Sequence, residues 1–282
     1  MKICKQINEV RDFIKQQCKT GKEIGLVPTM GYFHQGHLSL MKKAKEENDI
    51  VVVSLFVNPT QFGPDEDYNE YPRDFNRDLR LAKEVGVDMI FAPEVDEIYL
   101  SQAATKVVVE DLTDYLCGAS RDGHFTGVCT IVTKLFNIVD PDRAYFGQKD
   151  AQQVLIIKRL VKDLNFDLEI VTVPIQREED GLAISSRNKY LNSEERGAAT
   201  VLYETLQLAK DLIDQKERDA KVVRKKLINK IETEPLAEID YVEIVNQTTL
   251  KTLTEIKGKI LIALAVYIGD TRLIDNLMLE VS

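Results

Sequence analysis

Hydrophobic residues recur at helical spacing over 7–18, and Gly21 closes that segment. Residues 24–27 form a short apolar run that stops at Pro28, and helical spacing returns over 38–47 through Leu38, Leu40, Met41 and Ala44. Residues 49–57 then read Asp-Ile-Val-Val-Val-Ser-Leu-Phe-Val, a near-continuous β-branched run. Such a run predicts a strand buried on both faces, as in a parallel sheet. A helix over 74–85 and a strand over 88–92, closed by Pro93, follow. Strand–helix–strand–helix–strand in this order predicts an α/β fold: a Rossmann-like, doubly wound parallel sheet whose ligands sit beyond the carboxyl ends of the strands.

Further on, Val107, Val108 and Val109 predict another strand, 121–127 a polar loop flanked by glycines, and 128–139 a long apolar helix. Strands are expected over 143–146 and 168–173, with a helix between them that carries Gln152 and Gln153. Beyond Ser193 the texture changes to two helices, 194–214 and 220–232, and then strands over 239–245, 259–267 and 271–280. The boundary falls near 174–176, which divides the chain into a domain of residues 1–175 and a smaller α+β domain of residues 176–282.

Composition narrows the function. The 282 residues carry a formal charge of −9, so no basic field for nucleic acid is present and an anionic ligand needs a local pocket. No apolar stretch is long enough to span a bilayer, and the N-terminus is too charged for a signal peptide. Cys4, Cys18, Cys117 and Cys129 form no CxxC pair, which fits a reduced, cytoplasmic protein.

Two of the three histidines stand in His34-Gln35-Gly36-His37, between a predicted strand and a predicted helix. Free N–H groups and the positive end of a helix dipole meet at such a junction, which suits phosphate. Imidazoles there can donate to phosphate oxygens, and Gly36 keeps a Cβ from blocking the approach of a ligand to the backbone. Gly147-Gln148-Lys149-Asp150 after a strand offers close approach, a cation for phosphate and an acceptor for ribose hydroxyls. Ile184-Ser185-Ser186-Arg187 offers two hydroxyls and a guanidinium to an anion. The amides of Gln61 and Gln153 suit a hydroxyl-bearing carboxylate, and Asp78 suits magnesium, which takes one or two carboxylates together with substrate phosphates. Each of these also has an ordinary reading as a turn or a solvated surface group. Arg121 and His124 either close over an anionic ligand or cap the following helix; their spacing leaves both open.

The stretches PTMGYFHQGH, SLFVNPTQFGPDEDYNEYPRD, the His124-Phe125 loop, YFGQKDAQQ, DGLAISSRN and TRLIDN together resemble the pantoate–β-alanine ligase family over essentially the whole chain. The HxGH turn alone belongs to the wider nucleotidylyl-transferase superfamily. The resemblance implies a two-domain homodimer that condenses pantoate with β-alanine, using ATP and Mg²⁺ through a pantoyl adenylate. It implies His37, His34, Lys149 and Arg187 as catalytic residues. It implies that Met30, Gly31, Tyr32, Phe33, His34, Gln35, Gly36 and His37 meet ATP, as do Gly147, Gln148, Lys149, Asp150, Gln176, Ile184, Ser185, Ser186 and Arg187. Gln61, Gln153, Asn58 and Met30 would meet pantoate and β-alanine, and Asp78 would be the metal ligand. The family often has glutamate where Gln148 stands. Two other functions share parts of the pattern: an adenylyltransferase that leaves AMP on its product, and a catalytically silent nucleotide-binding protein.

Overall fold

The computed structural model describes every residue of the chain except Asp65 and Gln102. The chain divides into two compact units, Met1–Pro174 and Ile175–Ser282. In the first, β1 (Lys2–Cys4), α1 (Ile7–Cys18), β2 (Ile24–Thr29), α2 (Gln35–Glu47), β3 (Ile50–Leu55), α3 (Phe75–Val85) and β4 (Met89–Phe91) follow in order. Then come α4 (Val95–Ile98), α5 (Cys117–Ser120), α6 (His124–Val139), β5 (Arg143–Gly147), α7 (Ala151–Asp163) and β6 (Glu169–Val173). The strands pair in the order β1-β4-β3-β2-β5-β6, every neighbour parallel. Val51, Val52 and Val53 of β3 are fully buried, as a strand covered on both faces requires.

From β2 the chain runs outward to β3 and β4 on one side, and later to β5 and β6 on the other. The topological switch point therefore lies between β2 and β5. Pro28 widens it. The Thr29 carbonyl accepts the Phe56 N–H (3.1 Å) on the β3 side, and successive peptide groups alternate sides, so Pro28 faces β5 with no N–H to donate. The β2–β5 ladder pairs only Gly25 with Arg143 and Leu26 with Ala144. The two strands part where the histidine turn and the Gly147 turn emerge.

Several sequence expectations differ from this structure. Residues 107–109 form no strand: Val108 is 61% exposed, and the Val107 N–H donates to Thr130 Oγ1 (3.0 Å) on α6. A β-branched triplet without a neighbouring strand has no ladder to join. The loop expected over 121–127 instead becomes helical from His124, and Gly127 lies inside α6 because a Cβ there would sit 2.2 Å from the Thr60 carbonyl oxygen. The three-residue β1 carries no periodicity of its own and exists by pairing with β4.

In the second unit, α8 (Ser193–Ala198), α9 (Val201–Asp214) and α10 (Ala220–Ile231) precede β7 (Ala237–Asn246), β8 (Gly258–Ile268) and β9 (Thr271–Val281). The single helix expected over 194–214 is two, α8 and α9, with Ala199 and Thr200 between them. The strands form an antiparallel meander with β8 in the centre. Ile260, Ile262, Leu264 and Val266 alternate along β8 into a core shared with Leu202 and Leu206 of α9 and Val223 and Leu227 of α10. Leu182, from the segment before α8, belongs to the same core.

Candidate active site

The histidine turn is built from the end of β2. Thr29 Oγ1 donates to the Ser54 carbonyl (2.6 Å) and accepts the Gly31 N–H (3.3 Å). Gly31 (φ +85°) and Tyr32 (φ +51°) are left-handed, so the chain reverses sharply. Asp78, in the first turn of α3, holds the reversal: its two carboxylate oxygens accept the Tyr32 and Phe33 N–H groups, each at 2.7 Å. A Cβ on Gly31 would lie 3.1 Å from Asp78 Oδ2. Asp78 is 1% exposed, and burial pushes its pKa above the usual carboxylate value even though both N–H groups pull the other way. The structure thus gives this side chain a different task from the metal ligation expected of it. Both oxygens are engaged in shaping the turn. A cavity of about 340 Å³ adjoins the turn beyond the ends of β3 and β4, lined by Met30, Tyr32, Leu55, Arg73, Asp78 and Glu94 among others. Neither histidine lines it, so the imidazoles belong to the switch-point side.

His34 occupies the N-cap position of α2 in an extended conformation, and its N–H donates to Nδ1 of His37 (3.4 Å). With Nδ1 accepting, a neutral His37 carries its proton on Nε2. The two rings stack with centroids 4.0 Å apart. The reason for Gly36 also becomes visible: a Cβ there would fall 2.9 Å from Cε1 and Nδ1 of the His34 ring. The glycine makes room for the neighbouring imidazole itself. Burial, reinforced by the charge of Lys149, lowers the His34 pKa to about 4. Burial, then His34 and Lys149, holds His37 well below its ordinary value. Both rings are neutral N–H donors at pH 7.

Lys149 and Asp150 reach this turn from the end of β5, in a 3₁₀ turn over Gln148–Asp150. Lys149 Nζ lies 3.7 Å from Asp150 Oδ1. A Cβ on Gly147 would meet no protein atom within 4 Å, so packing against protein is not what limits that position. On α7, Gln152 is buried and structural: Oε1 accepts the Cys117 N–H (3.0 Å), and Nε2 donates to the carbonyls of Leu112 (2.9 Å) and Tyr115 (2.6 Å). Gln153, one residue on, is half-buried.

Past β3, Gln61 Nε2 donates to the Met30 sulfur (3.0 Å), which joins two of the expected substrate contacts. Asn58 differs from expectation. It is 1% exposed; Nδ2 donates to Gln61 Oε1 (3.1 Å) and the Gly127 carbonyl (3.2 Å), while Oδ1 accepts from Thr60 Oγ1 (3.0 Å) and the Tyr99 hydroxyl (2.8 Å). Both amide protons and the carbonyl oxygen are in use, so Asn58 orients Gln61 instead of meeting substrate. His124 supports the same loop, with Nδ1 2.7 Å from the Gln61 carbonyl and Nε2 3.1 Å from Arg121 Nη1. Because a guanidinium can only donate, the His124 proton sits on Nδ1 and is given to Gln61. Arg121 also makes a bidentate pair with Glu66 (2.7 and 2.6 Å). Burial and Arg121 lower the His124 pKa to about 4. In the structure these two side chains brace the Gln61 loop.

The remaining expected segment lies in the second unit. Ser185 caps a 3₁₀ helix, Ser186–Tyr190, its Oγ accepting the Arg187 N–H (3.3 Å). Ser186 is buried, while Ile184, Ser185 and Arg187 are half-buried. The Gln176 carbonyl accepts the Ile184 N–H (2.9 Å), so the first and last parts of the expected ATP-contacting segment stand side by side.

The sequence profile of the pantoate–β-alanine ligase family matches residues 2–278. The chain belongs to this family. It is 57% identical over 281 residues to the pantothenate synthetase of Caldicellulosiruptor saccharolyticus, with 100% of both chains covered. It resembles the crystal structure of pantothenate synthetase from Thermus thermophilus with a TM-score of 0.94 and 45% identity, covering 98% of this chain and 99% of that one. It also resembles the Francisella tularensis pantoate–β-alanine ligase complexed with β,γ-ATP and β-alanine, with a TM-score of 0.83, 38% identity, and 99% and 97% coverage.

In this member of the pantoate–β-alanine ligase family, sequence reasoning missed the supporting parts of Glu66, Tyr99 and Gly127. Gly127 left a signal, a glycine at the edge of the apolar helical run. Glu66 and Tyr99 left none, because their partners lie 55 and 41 residues away.

Proposed function

We propose that this ligase condenses (R)-pantoate with β-alanine in two steps. The pantoate carboxylate attacks the α-phosphorus of ATP, forming an O–P bond as the bond to pyrophosphate breaks. The neutral amine of β-alanine then attacks the acyl carbon of the adenylate and expels AMP. The observation that carries the proposal is the neutral imidazole pair beside Lys149 at the β2/β5 switch point, in a chain matched almost end to end by the family.

Pantoate is already ionised at neutral pH, so the first step requires no protein base. It requires alignment of two anions and dispersal of the charge that builds on the leaving pyrophosphate. His34 and His37, as N–H donors, and Lys149, as a fixed charge, supply that dispersal, and Ser185, Ser186 and Arg187 are assigned to the phosphates. Gln61, held by Asn58, His124 and Met30, is assigned with Gln153 to pantoate. Gly147 allows the nucleotide to approach the backbone, with Asp150 accepting from ribose. Among the described residues no group of three or more His, Cys, Asp or Glu side chains could hold a metal ion. Each Asp78 oxygen, moreover, accepts a backbone N–H that shapes the turn. We assign Mg²⁺ to the substrate, entering as the complex of ATP.

Labelled pyrophosphate should exchange into ATP with pantoate alone, and AMP should appear only when β-alanine is added. Exchange without pantoate, or AMP that stays on the product, would contradict the assignment. His37→Ala should slow adenylate formation roughly a hundredfold, about 3 kcal/mol, as for loss of one charge-stabilising donor. Among the described residues no helix is long and apolar enough to cross a membrane. A cytoplasmic homodimer is the assembly we assign, and sedimentation at twice the chain mass is its test.

A further inference from the structure

From sequence, the serine–arginine segment offers two hydroxyls and a guanidinium to an anion. Its connections within the second unit are those of a fixed hairpin. The Ile184 N–H donates to the Gln176 carbonyl and the Glu178 N–H to the Leu182 carbonyl, both at 2.9 Å, while Arg177 and Ala183 pair as an antiparallel bridge. At the tip, the Gly181 N–H donates to the Glu178 carbonyl (2.9 Å). Gly181 is left-handed (φ +93°), and a Cβ there would fall 2.0 Å from the Tyr203 ring, so the tip lies flat against α9. Leu182 is anchored in the hydrophobic core, and Asn188 Nδ2 donates to the Ala183 carbonyl (3.1 Å).

An ion pair ties this hairpin to the sheet. Asp275 of β9 is 3% exposed and accepts two hydrogen bonds from the Arg177 guanidinium (2.6 and 2.9 Å). The same guanidinium donates to the Gly181 carbonyl (2.9 Å) and lies over the Tyr203 ring (4.8 Å to its centroid). A planar fork can meet a carboxylate, a carbonyl and a ring face at once, whereas an ammonium cannot. On the outer side Arg196 bridges Glu178 (2.7 Å) and Asp180 (2.8 Å). The short helix Ser186–Tyr190 packs directly beside β9.

We propose that Arg177 and Asp275 are positioning residues for the ligase reaction. They hold the hairpin so that Ser185, Ser186 and Arg187 are presented to ATP as a preformed group carried by the second unit. The proposal rests on the assignment of those three residues to the phosphates. A rigid donor set binds without the loss of freedom that a flexible loop would suffer, so loosening it should weaken ATP binding and leave pantoate binding alone.

The test uses the full chain with Asp275→Asn, Arg177→Lys and, as reference, Arg187→Ala. Hydrogen–deuterium exchange over 182–190 reports the clamp directly, and KM for ATP, KM for pantoate and kcat report its consequence. In both clamp variants exchange over 182–190 should accelerate, KM for ATP should rise about tenfold, and KM for pantoate should stay within about twofold. Arg177→Lys keeps the charge and decides the matter if Asp275→Asn does not fold. Unchanged exchange in Arg177→Lys overturns the proposal. So does accelerated exchange with an unchanged KM for ATP, provided that Arg187→Ala raises it. If Arg187→Ala itself leaves KM for ATP and kcat unchanged, the phosphate assignment fails and the positioning role falls with it, while the exchange data still show whether the pair fixes the hairpin.

Discussion

Asp78→Asn separates a carboxylate that shapes the turn from one that binds metal. Both oxygens accept backbone N–H groups at 2.7 Å, in a site 1% exposed. The amide keeps one acceptor oxygen and turns a donor toward the other N–H, which is then buried without a partner. An unsatisfied buried donor costs about 1–3 kcal/mol, and loss of charge from the remaining bond about 1 more. Burial already raises the pKa of Asp78, so the charge is held at some expense, and a neutral side chain recovers part of the loss. The net destabilisation should be about 2–3 kcal/mol. With no tryptophan in the chain, urea unfolding is best followed by far-UV circular dichroism. Hydrogen exchange at Tyr32 and Phe33 confines the effect to the turn, since two units need not unfold as one. The histidine turn should loosen, lowering kcat/KM for ATP without altering the order of Mg²⁺ dependence. Stability within about 0.5 kcal/mol of the parent, together with a large rise in the Mg²⁺ requirement, would refute this reading and restore the metal ligand.

Acid should weaken the fold before it protonates the carboxylates. In the unfolded chain histidine takes a proton near pH 6.5, whereas folded His34 and His124 hold off to about 4, so the unfolded state binds more protons between those values. Stability therefore falls as pH drops from 6.5 to 4, by about 2–3 kcal/mol for each ring after allowance for partial exposure. His124→Gln, which can still accept from Arg121 and donate to Gln61, should flatten that fall in a pH series of melting temperatures; an unchanged slope would count against it. Gly36→Ala must displace the His34 ring, whose atoms lie 2.9 Å from the new Cβ, and pyrophosphate exchange should drop at least about tenfold with the melting temperature little changed. Gly127→Ala gains about 1 kcal/mol of helix propensity but sets a Cβ 2.2 Å from a backbone oxygen, and overpacking of about 1–3 kcal/mol or more decides the sign. Destabilisation with a raised KM for pantoate is expected, and a more stable protein would show that the Thr60–Gln61 loop gives way freely.

Sequence patterning was sufficient for the frame. The β-branched run of β3 can be buried on both faces only in a covered parallel sheet, and the strand–helix alternation orders the sheet around β2. The histidine pair is visible for the same reason: rare side chains fall at a junction whose backbone favours anions. Lys149 is legible likewise, since a second strand end must meet the first at the switch point. Residue type also marked Asp78 and Asn58 as noteworthy, but not what they do. Asp78 reaches amides 45 and 46 residues back, and Asn58 fills its hydrogen bonds from residues up to 69 away. Val108 shows the converse, strand-forming chemistry that found no strand to pair with. Local sequence thus determined which groups line up along each element, because helix and strand periods act over a few residues. Only the tertiary structure decided whether a polar side chain faces a ligand or another part of the chain, because a buried hydrogen-bond group takes whichever partner folding brings to it.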